Sequence, residues 1–234
     1  MPVAENIALI QERIAKAAER AGRNPNDITL MAVSKTFPPE LIRQAYRSGL
    51  RQFGENRVQE FAGKFPALRD SGEAEWHMIG HLQANKAAKA VELFSAIDSV
   101  DSLRLAQRLN DSARQIGRKL GALIEIKVGG ETAKSGLALE SPELEKLLRA
   151  APQLEHLEFR GLMTIPPFFE DPQQARPYFR VLRELRDRIA AQKLPQVHMD
   201  VLSMGMSRDF EAAVEEGSTC VRLGTAIFGE RAPQ

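Results

Sequence analysis

The sequence predicts a single (β/α)8 TIM-like barrel, an α/β fold, with an extra helix at its N-terminus. About eight short β-rich segments alternate with longer helical patterns across 234 residues, which is typical of a parallel sheet with helices outside it. The alternative is an open doubly wound sheet, but the first strand-to-helix turn reads SKTFPPE and lacks the G-x-G-x-x-G pattern. No long or Gly/Ser-rich linker divides the chain, so residues 1–234 are predicted to form one domain.

The first 22 residues predict the extra helix. Ile7, Ile10, Ile14 and Ala17 recur at three- and four-residue intervals, and charged residues lie between them. The segment has no basic start followed by an apolar block, so it does not resemble a signal peptide.

The rest of the chain predicts eight strands separated by helices. The strands are expected at 28–36, 51–56, 75–80, 95–100, 119–128, 157–165, 197–204 and 218–228. The second helix begins at Pro38 and Pro39 and ends at Gly49, and Ser141 before Pro142 is a predicted N-cap. Further helical patterns occupy 58–70, 82–94, 102–117, about 173–192 and 210–217.

Composition excludes several classes of function. The 32 basic and 31 acidic residues give a net charge of +1, so nothing indicates binding to nucleic acid or to an anionic membrane surface. The single cysteine, Cys220, excludes an intramolecular disulfide and fits a reducing compartment. No apolar stretch approaches the roughly 20 residues that cross a bilayer. We therefore expect a soluble cytoplasmic protein. A monomer is a separate expectation, which composition does not decide.

Lys35 is the first candidate functional residue. It follows the apolar run LMAV, and strand alternation places it on one face with Met31 and Val33. If that face lines the barrel, Lys35 lies at the carboxyl end of the strands, where barrel active sites occur. A partly desolvated amine there is nucleophilic and can form a Schiff base with a carbonyl. The alternative is a lysine that simply reaches solvent.

The last two strand-to-helix loops predict a phosphate site. Gly205 lies at a turn and Ser207 at a helix start, and Gly224 and Thr225 occupy the neighbouring loop. Backbone N–H groups at such positions attract phosphate, and barrels commonly use these loops for it. The alternative is an ordinary N-cap serine and an ordinary turn glycine.

Arg222 is predicted to point inward near the same rim. An inward arginine needs an acceptor. That acceptor is a carboxylate or a pyridine nitrogen of a ligand. The alternative is a structural ion pair with the carboxylate of Glu55 or Asp98. Together with Lys35 and the phosphate loops, Arg222 suits a phosphorylated aldehyde such as pyridoxal 5′-phosphate (PLP), or the imine chemistry of an aldolase.

No metal site is expected, because Gly80 and the β-rich WHMI interrupt the helix that would align His77 with His81.

Six segments resemble the pyridoxal phosphate homeostasis protein family, PLP-binding single-domain relatives of the alanine racemase barrel. They are AVSKTFP, FGENRVQE, WHMIGHLQANK, KSGL, GLMTIPP and LSMGMSRDFEAAVEEGSTCVRLGTAIFG, and they span nearly the whole chain. The resemblance implies covalent PLP on Lys35 and Arg222 against the pyridine nitrogen. It also implies that the ring is lined by Asn56 and the phosphate contacted by Ser203, Ser207, Gly224 and Thr225. It assigns His81 no role. The loop 127–136 keeps Lys134-Ser135-Gly136 but has Lys127 where the family has a neutral polar residue.

The resemblance implies a carrier or regulator in intracellular PLP homeostasis, with PLP as ligand and apo PLP-dependent enzymes as recipients. An arginine at the ring nitrogen weakens the electron sink, and racemases of this class rely on an additional tyrosine base. Tyr46 and Tyr178 both fall in outer helical patterns, so we assign no catalytic residue. The alternatives are a PLP-dependent amino-acid racemase of low activity and a Schiff-base aldolase without PLP, which would be colourless.

Overall fold

A computed structural model describes residues 2–129 and 135–230 and forms a closed barrel of eight parallel strands. The strands are β1 Thr29–Val33, β2 Gln52–Glu55, β3 Glu75–Met78, β4 Ala96–Val100, β5 Leu120–Lys127, β7 Leu157–Met163, β8 Val197–Ser203 and β9 Cys220–Leu223. They follow one another round the barrel in this order, and β9 pairs with β1. The two-residue strand β6, Leu137–Ala138, pairs with the end of β5. The predicted fold class is confirmed.

Helices surround this barrel. They are α1 Val3–Arg20, α2 Pro39–Arg47, α3 Val58–Lys64, α4 Ala87–Leu93, α5 Leu103–Gln115, α6 Pro142–Ala150, α7 Arg176–Ala190, α8 Phe210–Glu215 and α9 Thr225–Phe228. Ser141 caps α6 as predicted, its side chain accepting from the N–H of Leu144. Within the described ranges, no helix has the length and apolar character that a membrane span requires.

The extra N-terminal helix α1 covers the place where the barrel closes. Its apolar stripe, which includes Ile7, Ile10 and Ile14, is buried. The side chain of Asn6 donates a hydrogen bond of 2.9 Å to the carbonyl oxygen of Ile227 in α9. Because α9 follows β9, α1 holds the last segment of the barrel against the first.

All eight barrel strands are shorter than predicted, and two of them end three or more residues before the predicted bound. The first ends at Val33 rather than at residue 36, because Thr36 adopts a φ of 65°, which is incompatible with an extended strand. The eighth ends at Leu223 rather than at residue 228, and Thr225–Phe228 forms α9 instead. Lys35 therefore lies in a turn beyond β1, and strand alternation with Met31 and Val33 does not set its direction.

The amino end of the barrel interior contains a cavity of ≈ 490 Å³ and a charged pair. The Nδ1 atom of His77 lies 3.0 and 3.1 Å from the two carboxylate oxygens of Asp98. Burial lowers the pKa of His77, but Asp98 and, more weakly, Glu75 outweigh that effect and raise it to about 9. The imidazole is therefore charged at neutral pH, and Asp98 is committed to it.

Gly161 is a position where β7 and β8 approach too closely for any side chain. A Cβ atom there would collide with the carbonyl oxygen of Val201 in β8. We expect Gly161→Ala to lower the free energy of unfolding by about 2–3 kcal/mol, because the strands must move apart. Urea denaturation measures this change.

Gly63 provides the control, since a Cβ atom at this exposed position of α3 meets nothing within 4 Å. Gly63→Ala should raise the free energy of unfolding by about 0.5–1 kcal/mol, the usual gain from replacing a helical glycine by alanine. A Gly161→Ala protein as stable as the unaltered protein would contradict this description of the β7–β8 contact.

Candidate active site at the carboxyl end of the barrel

Lys35 lies in the turn that leaves β1 at the carboxyl end of the barrel, and its side chain is half-buried. The preceding residue, Ser34, is completely buried, and the following residue, Thr36, has a left-handed backbone. Phe37 then closes the turn by donating its N–H to the carbonyl oxygen of Ser34 at 3.2 Å. The direction in which Lys35 leaves the barrel is therefore set by a tight turn between two constrained neighbours.

The residue before Lys35 is held by a buried ion pair. The hydroxyl of Ser34 donates to Glu55 Oε1 at 2.7 Å, and the carbonyl oxygen of Ser34 accepts from Lys64 Nζ at 3.1 Å. Lys64 Nζ also lies 2.8 and 3.0 Å from the two oxygens of Glu55. Burial raises the pKa of Glu55, while the Lys64 ammonium and the Ser34 hydroxyl oppose that shift.

Thr36, the residue after Lys35, is held by Lys64 through a second carboxylate, that of Glu60. Glu60 Oε1 accepts the backbone N–H of Thr36 at 2.7 Å and lies 3.1 Å from Lys64 Nζ. We call Glu55, Glu60 and Lys64 the clamp. It fixes the backbone on both sides of Lys35 and so offsets the strain of a left-handed threonine, which is of the order of 1–3 kcal/mol.

The start of α9 lies beside the Lys35 turn. Gly224 packs on the end of β1, where an added Cβ would be 3.2 Å from the carbonyl oxygen of Val33. The rings of Phe37 and Phe228 are in contact, with centroids 4.7 Å apart. No side chain caps α9, and the first N–H groups of a helix have no acceptor within it. The start of α9 therefore lies at the same rim as Lys35.

The loop after β8 joins this rim through its backbone. Gly205 has a φ of 95°, and a Cβ there would lie 2.6 Å from Cβ of Ala213. Its carbonyl oxygen accepts the N–H of Arg222 at 3.0 Å, so the loops that follow β8 and β9 are adjacent. Ser207 lies in this loop, is half-buried, and precedes α8 by three residues.

Arg222 points into the barrel and is only 4% exposed. Its guanidinium donates to the Ser203 hydroxyl at 2.7 Å and to the carbonyl oxygen of Thr164 at 2.7 Å. Glu55 pairs instead with Lys64 and Asp98 with His77, so the structural ion pair left open by the sequence is not formed. Among the described residues, Arg222 is thus a buried cation held by neutral oxygens.

Glu125 is a buried carboxyl group in β5 that the sequence reasoning did not consider. It is 5% exposed, and its Oε1 accepts from the Ser135 hydroxyl at 2.7 Å. Its Oε2 has no hydrogen-bond partner among the described residues. Burial raises the pKa of Glu125, opposed by the hydrogen bond from Ser135. An acidic residue between the apolar residues of LGALIEI is the signal that could have identified it.

The remaining predicted positions lie one or more strands away from Lys35. Asn56 follows β2 and is half-buried. Its backbone packs against Gly80, because a Cβ atom added to Gly80 would be 2.5 Å from the Asn56 carbonyl oxygen. His81 is exposed and its Nδ1 lies 3.0 Å from Asp101. Lys134, within the 127–136 loop, lies outside the described residues. The structure thus groups Lys35 with the loops after β8 and β9 and with Arg222 and Ser203 beneath them.

Comparison with known proteins identifies the family to which the chain belongs. Residues 6–232 match the family model for the alanine racemase N-terminal domain. A pyridoxal phosphate homeostasis protein of Aquifex aeolicus is 47% identical over 231 residues, which cover 99% of each chain. PipY of Synechococcus elongatus, whose structure was solved with PLP bound, is 38% identical, with a TM-score of 0.85 over 97% of this chain and 100% of PipY.

A more distant likeness shows the fold alone. Alanine racemase of Clostridium difficile is 17% identical, with a TM-score of 0.69, and the match covers all of this chain but 57% of the racemase. The fold and the family model define a barrel of the alanine racemase type. The chain belongs to that family and, within it, to the pyridoxal phosphate homeostasis proteins, as its sequence motifs indicated.

The clamp generates a test of stability. We expect Lys64→Met to lower the free energy of unfolding by about 3 kcal/mol, because the Glu55 carboxylate loses its partner in a buried position. The loss should shrink as pH falls, since protonation removes the uncompensated charge. Chemical denaturation across a pH series measures both effects.

Lys16→Met is the matched control, because Lys16 pairs with Glu12 at 2.7 Å on the exposed face of α1. Its free energy of unfolding should stay essentially unchanged at every pH, as is usual for surface pairs. Equal effects of the two substitutions would show that the clamp contributes no more than an exposed ion pair.

Proposed function

We propose that this protein binds PLP covalently on Lys35 and acts in PLP homeostasis as a carrier or regulator rather than as an efficient catalyst. The observation that carries the proposal is the closure of β9 on β1, which brings the Lys35 turn beside Gly224 and Thr225 and above Arg222. The PLP-bound structure of PipY and the names of close relatives support the same ligand.

The described residues fit the chemical groups of PLP. The Lys35 nitrogen adds to the aldehyde carbon and one molecule of water leaves, so the covalent link forms without any oxidant or reductant. The phosphate suits the loops at Ser207, Gly224 and Thr225, because backbone N–H groups at a helix start attract phosphate and Gly224 has no side chain. Ser203 supports the site through its hydrogen bond to Arg222, and its direct contact with the phosphate stays a prediction.

Arg222 is the group proposed to face the pyridine nitrogen. Its two hydrogen-bond acceptors are neutral oxygens, so among the described residues no carboxylate is hydrogen-bonded to its guanidinium. A permanent cation keeps the ring nitrogen unprotonated and weakens the withdrawal of electrons that PLP supplies to catalysis. Asn56, at the end of β2, is proposed to line the ring.

Both tyrosines of the chain are engaged on outer helices. The Arg51 guanidinium lies over the ring of Tyr46 in α2, with its central carbon 4.5 Å from the ring centroid. The ring of Tyr178 in α7 stacks on that of Phe169, with the two centroids 5.5 Å apart. Neither is a candidate for the tyrosine base that racemases of this class use. This favours reversible loading of PLP over turnover. Apo PLP-dependent enzymes as recipients, a monomeric state and a cytoplasmic location stay predictions of the sequence.

Covalent attachment is tested by reduction. The protein should show visible absorption with PLP, and borohydride should convert this into a stable adduct that peptide mapping assigns to Lys35. Lys35→Ala should abolish the adduct. Lys86→Ala is the control, because Lys86 is a lysine of the same rim that contacts Gln59 at 3.2 Å and should leave the adduct intact. An adduct on a different lysine, or a protein that never absorbs, would refute the proposal.

The second candidate, an amino-acid racemase of low activity, is favoured by the match of residues 6–232 to the alanine racemase family model. Chirality measurements on the PLP-loaded protein with each of several L-amino acids separate the two functions. We expect no racemisation above that of free PLP. Turnover that persists in Lys86→Ala but disappears in Lys35→Ala would replace the carrier function by catalysis.

A further inference from the structure

We propose that Glu60 is a positioning residue for Lys35, and that it keeps the turn after β1 in the backbone conformation from which the Lys35 amine reaches PLP. The inference depends on the proposed function, because it concerns the same covalent link. Its basis is Thr36, the residue next to Lys35, whose backbone has a φ of 65°. Threonine rarely adopts this conformation unless its surroundings hold it there.

The turn itself requires a left-handed residue at Thr36. The residues from Ser34 to Phe37 form a four-residue turn, which is closed by the hydrogen bond of 3.2 Å from the Phe37 N–H to the Ser34 carbonyl oxygen. The positive φ falls on the third residue of this turn, a position that is normally occupied by glycine. A branched side chain makes such a φ unfavourable. The local sequence therefore favours a relaxed turn, in which Thr36 has a negative φ and Lys35 leaves β1 in another direction.

Glu60 opposes this relaxation by holding the peptide group that joins Lys35 to Thr36. Its Oε1 accepts the N–H of that group at 2.7 Å. Burial raises the pKa of Glu60, but the Thr36 N–H and the Lys64 ammonium outweigh this effect and lower it, so the acceptor is a carboxylate at neutral pH. Hydrogen bonds to an ionised acceptor are about twice as strong as those between neutral groups. A change of φ at Thr36 would rotate the peptide group away from this acceptor.

The carboxylate of Glu60 is itself held in place. Lys64, one helical turn further along α3, lies 3.1 Å from Glu60 Oε1. The same ammonium contacts Glu55 Oε1 at 2.8 Å, and Glu55 is completely buried in β2. It also donates to the Ser34 carbonyl oxygen at 3.1 Å. Glu60 therefore acts on the turn from a position that is tied to the barrel wall.

The consequence for binding is a matter of populations. When a ligand requires one conformation, its apparent dissociation constant is the intrinsic value divided by the fraction of protein in that conformation. Among the described residues, Glu60 is hydrogen-bonded to the Thr36 backbone and to Lys64. We therefore expect it to change the affinity for PLP through the backbone, without changing the surroundings of the ring.

Dissociation constants and visible absorption test this role. Glu60→Leu removes the acceptor and should weaken PLP binding about 10-fold, because the strained turn becomes a minor conformation of the apoprotein. Pyridoxal, which has the aldehyde but no phosphate, should lose affinity by the same factor. The absorption maximum of the protein saturated with PLP should stay unchanged. Glu60→Gln keeps an oxygen that can accept from both Thr36 and Lys64, and should bind PLP within about 3-fold of the unaltered protein.

Substitution of Thr36 provides the decisive comparison, because glycine adopts a φ of 65° without strain. Adding Thr36→Gly to Glu60→Leu should restore PLP affinity to within about 3-fold of the unaltered protein. Adding Thr36→Ala should not restore it. Alanine lacks the hydroxyl group and the branch of threonine, but it keeps the Cβ atom that makes a positive φ unfavourable.

Glu12→Leu is the matched control for the loss of a helical carboxylate. Glu12 pairs with Lys16, four residues further along α1, at 2.7 Å, which is the spacing that separates Glu60 from Lys64. The Glu12 pair is exposed and makes no contact with the turn after β1. Glu12→Leu should therefore leave PLP affinity unchanged, with or without Thr36→Gly.

The outcomes separate the two proposals. An unaltered protein that does not bind PLP refutes the proposed function itself. If it binds PLP and Glu60→Leu binds equally tightly, only the role of Glu60 fails. A loss that Thr36→Gly does not restore, or that Thr36→Ala restores equally well, also contradicts that role.

Two further results would overturn the inference. A shifted absorption maximum in Glu60→Leu would mean that Glu60 acts on the ring rather than on the turn. A Glu60→Leu protein that does not fold would assign Glu60 to the stability of the barrel. We expect it to fold, since the Glu60 side chain is 29% exposed and the Thr36 N–H can bond to water in a relaxed turn.

Discussion

The pairing of β9 with β1 is the interaction on which the candidate site depends. It places Met31 opposite Arg222 and Ala32 opposite Leu223, which sets the last loop of the chain beside the first. The absence of a side chain at Gly224 permits close contact with Val33, and α1 covers the closure from outside. Residues separated by almost the full length of the chain meet because the barrel closes in this register. A shift of one residue would exchange the inward and outward faces of β9.

The sequence predicted the barrel because its two periodicities, near 2 in strands and near 3.6 in helices, are local properties. It did not predict the end of β1, because the left-handed Thr36 is stabilised by Glu60, which lies 24 residues away. It left the partners of Arg222 open for a similar reason. One of them is a backbone carbonyl, that of Thr164, and a backbone atom leaves no signature in side-chain identity.

Glu125 shows a different limit of sequence reasoning. Strand alternation suffices to place it inside the barrel. Whether a buried carboxyl group is satisfied depends on every neighbour in three dimensions, and among the described residues one oxygen of Glu125 has no partner. Such a group lowers the stability of the folded chain. The two ends of the barrel interior differ in this respect, since Asp98 at the amino end is fully committed to His77.

The clamp around Lys35 has a consequence for protein engineering. The motif SKTFP does not carry its own geometry, because Glu55, Glu60 and Lys64 fix it from β2 and α3. Transplanting the five-residue segment into another scaffold would move the amine without the parts that orient it. The smallest transferable unit is the whole stretch from the first strand through the end of the following βα pair, residues 29–64.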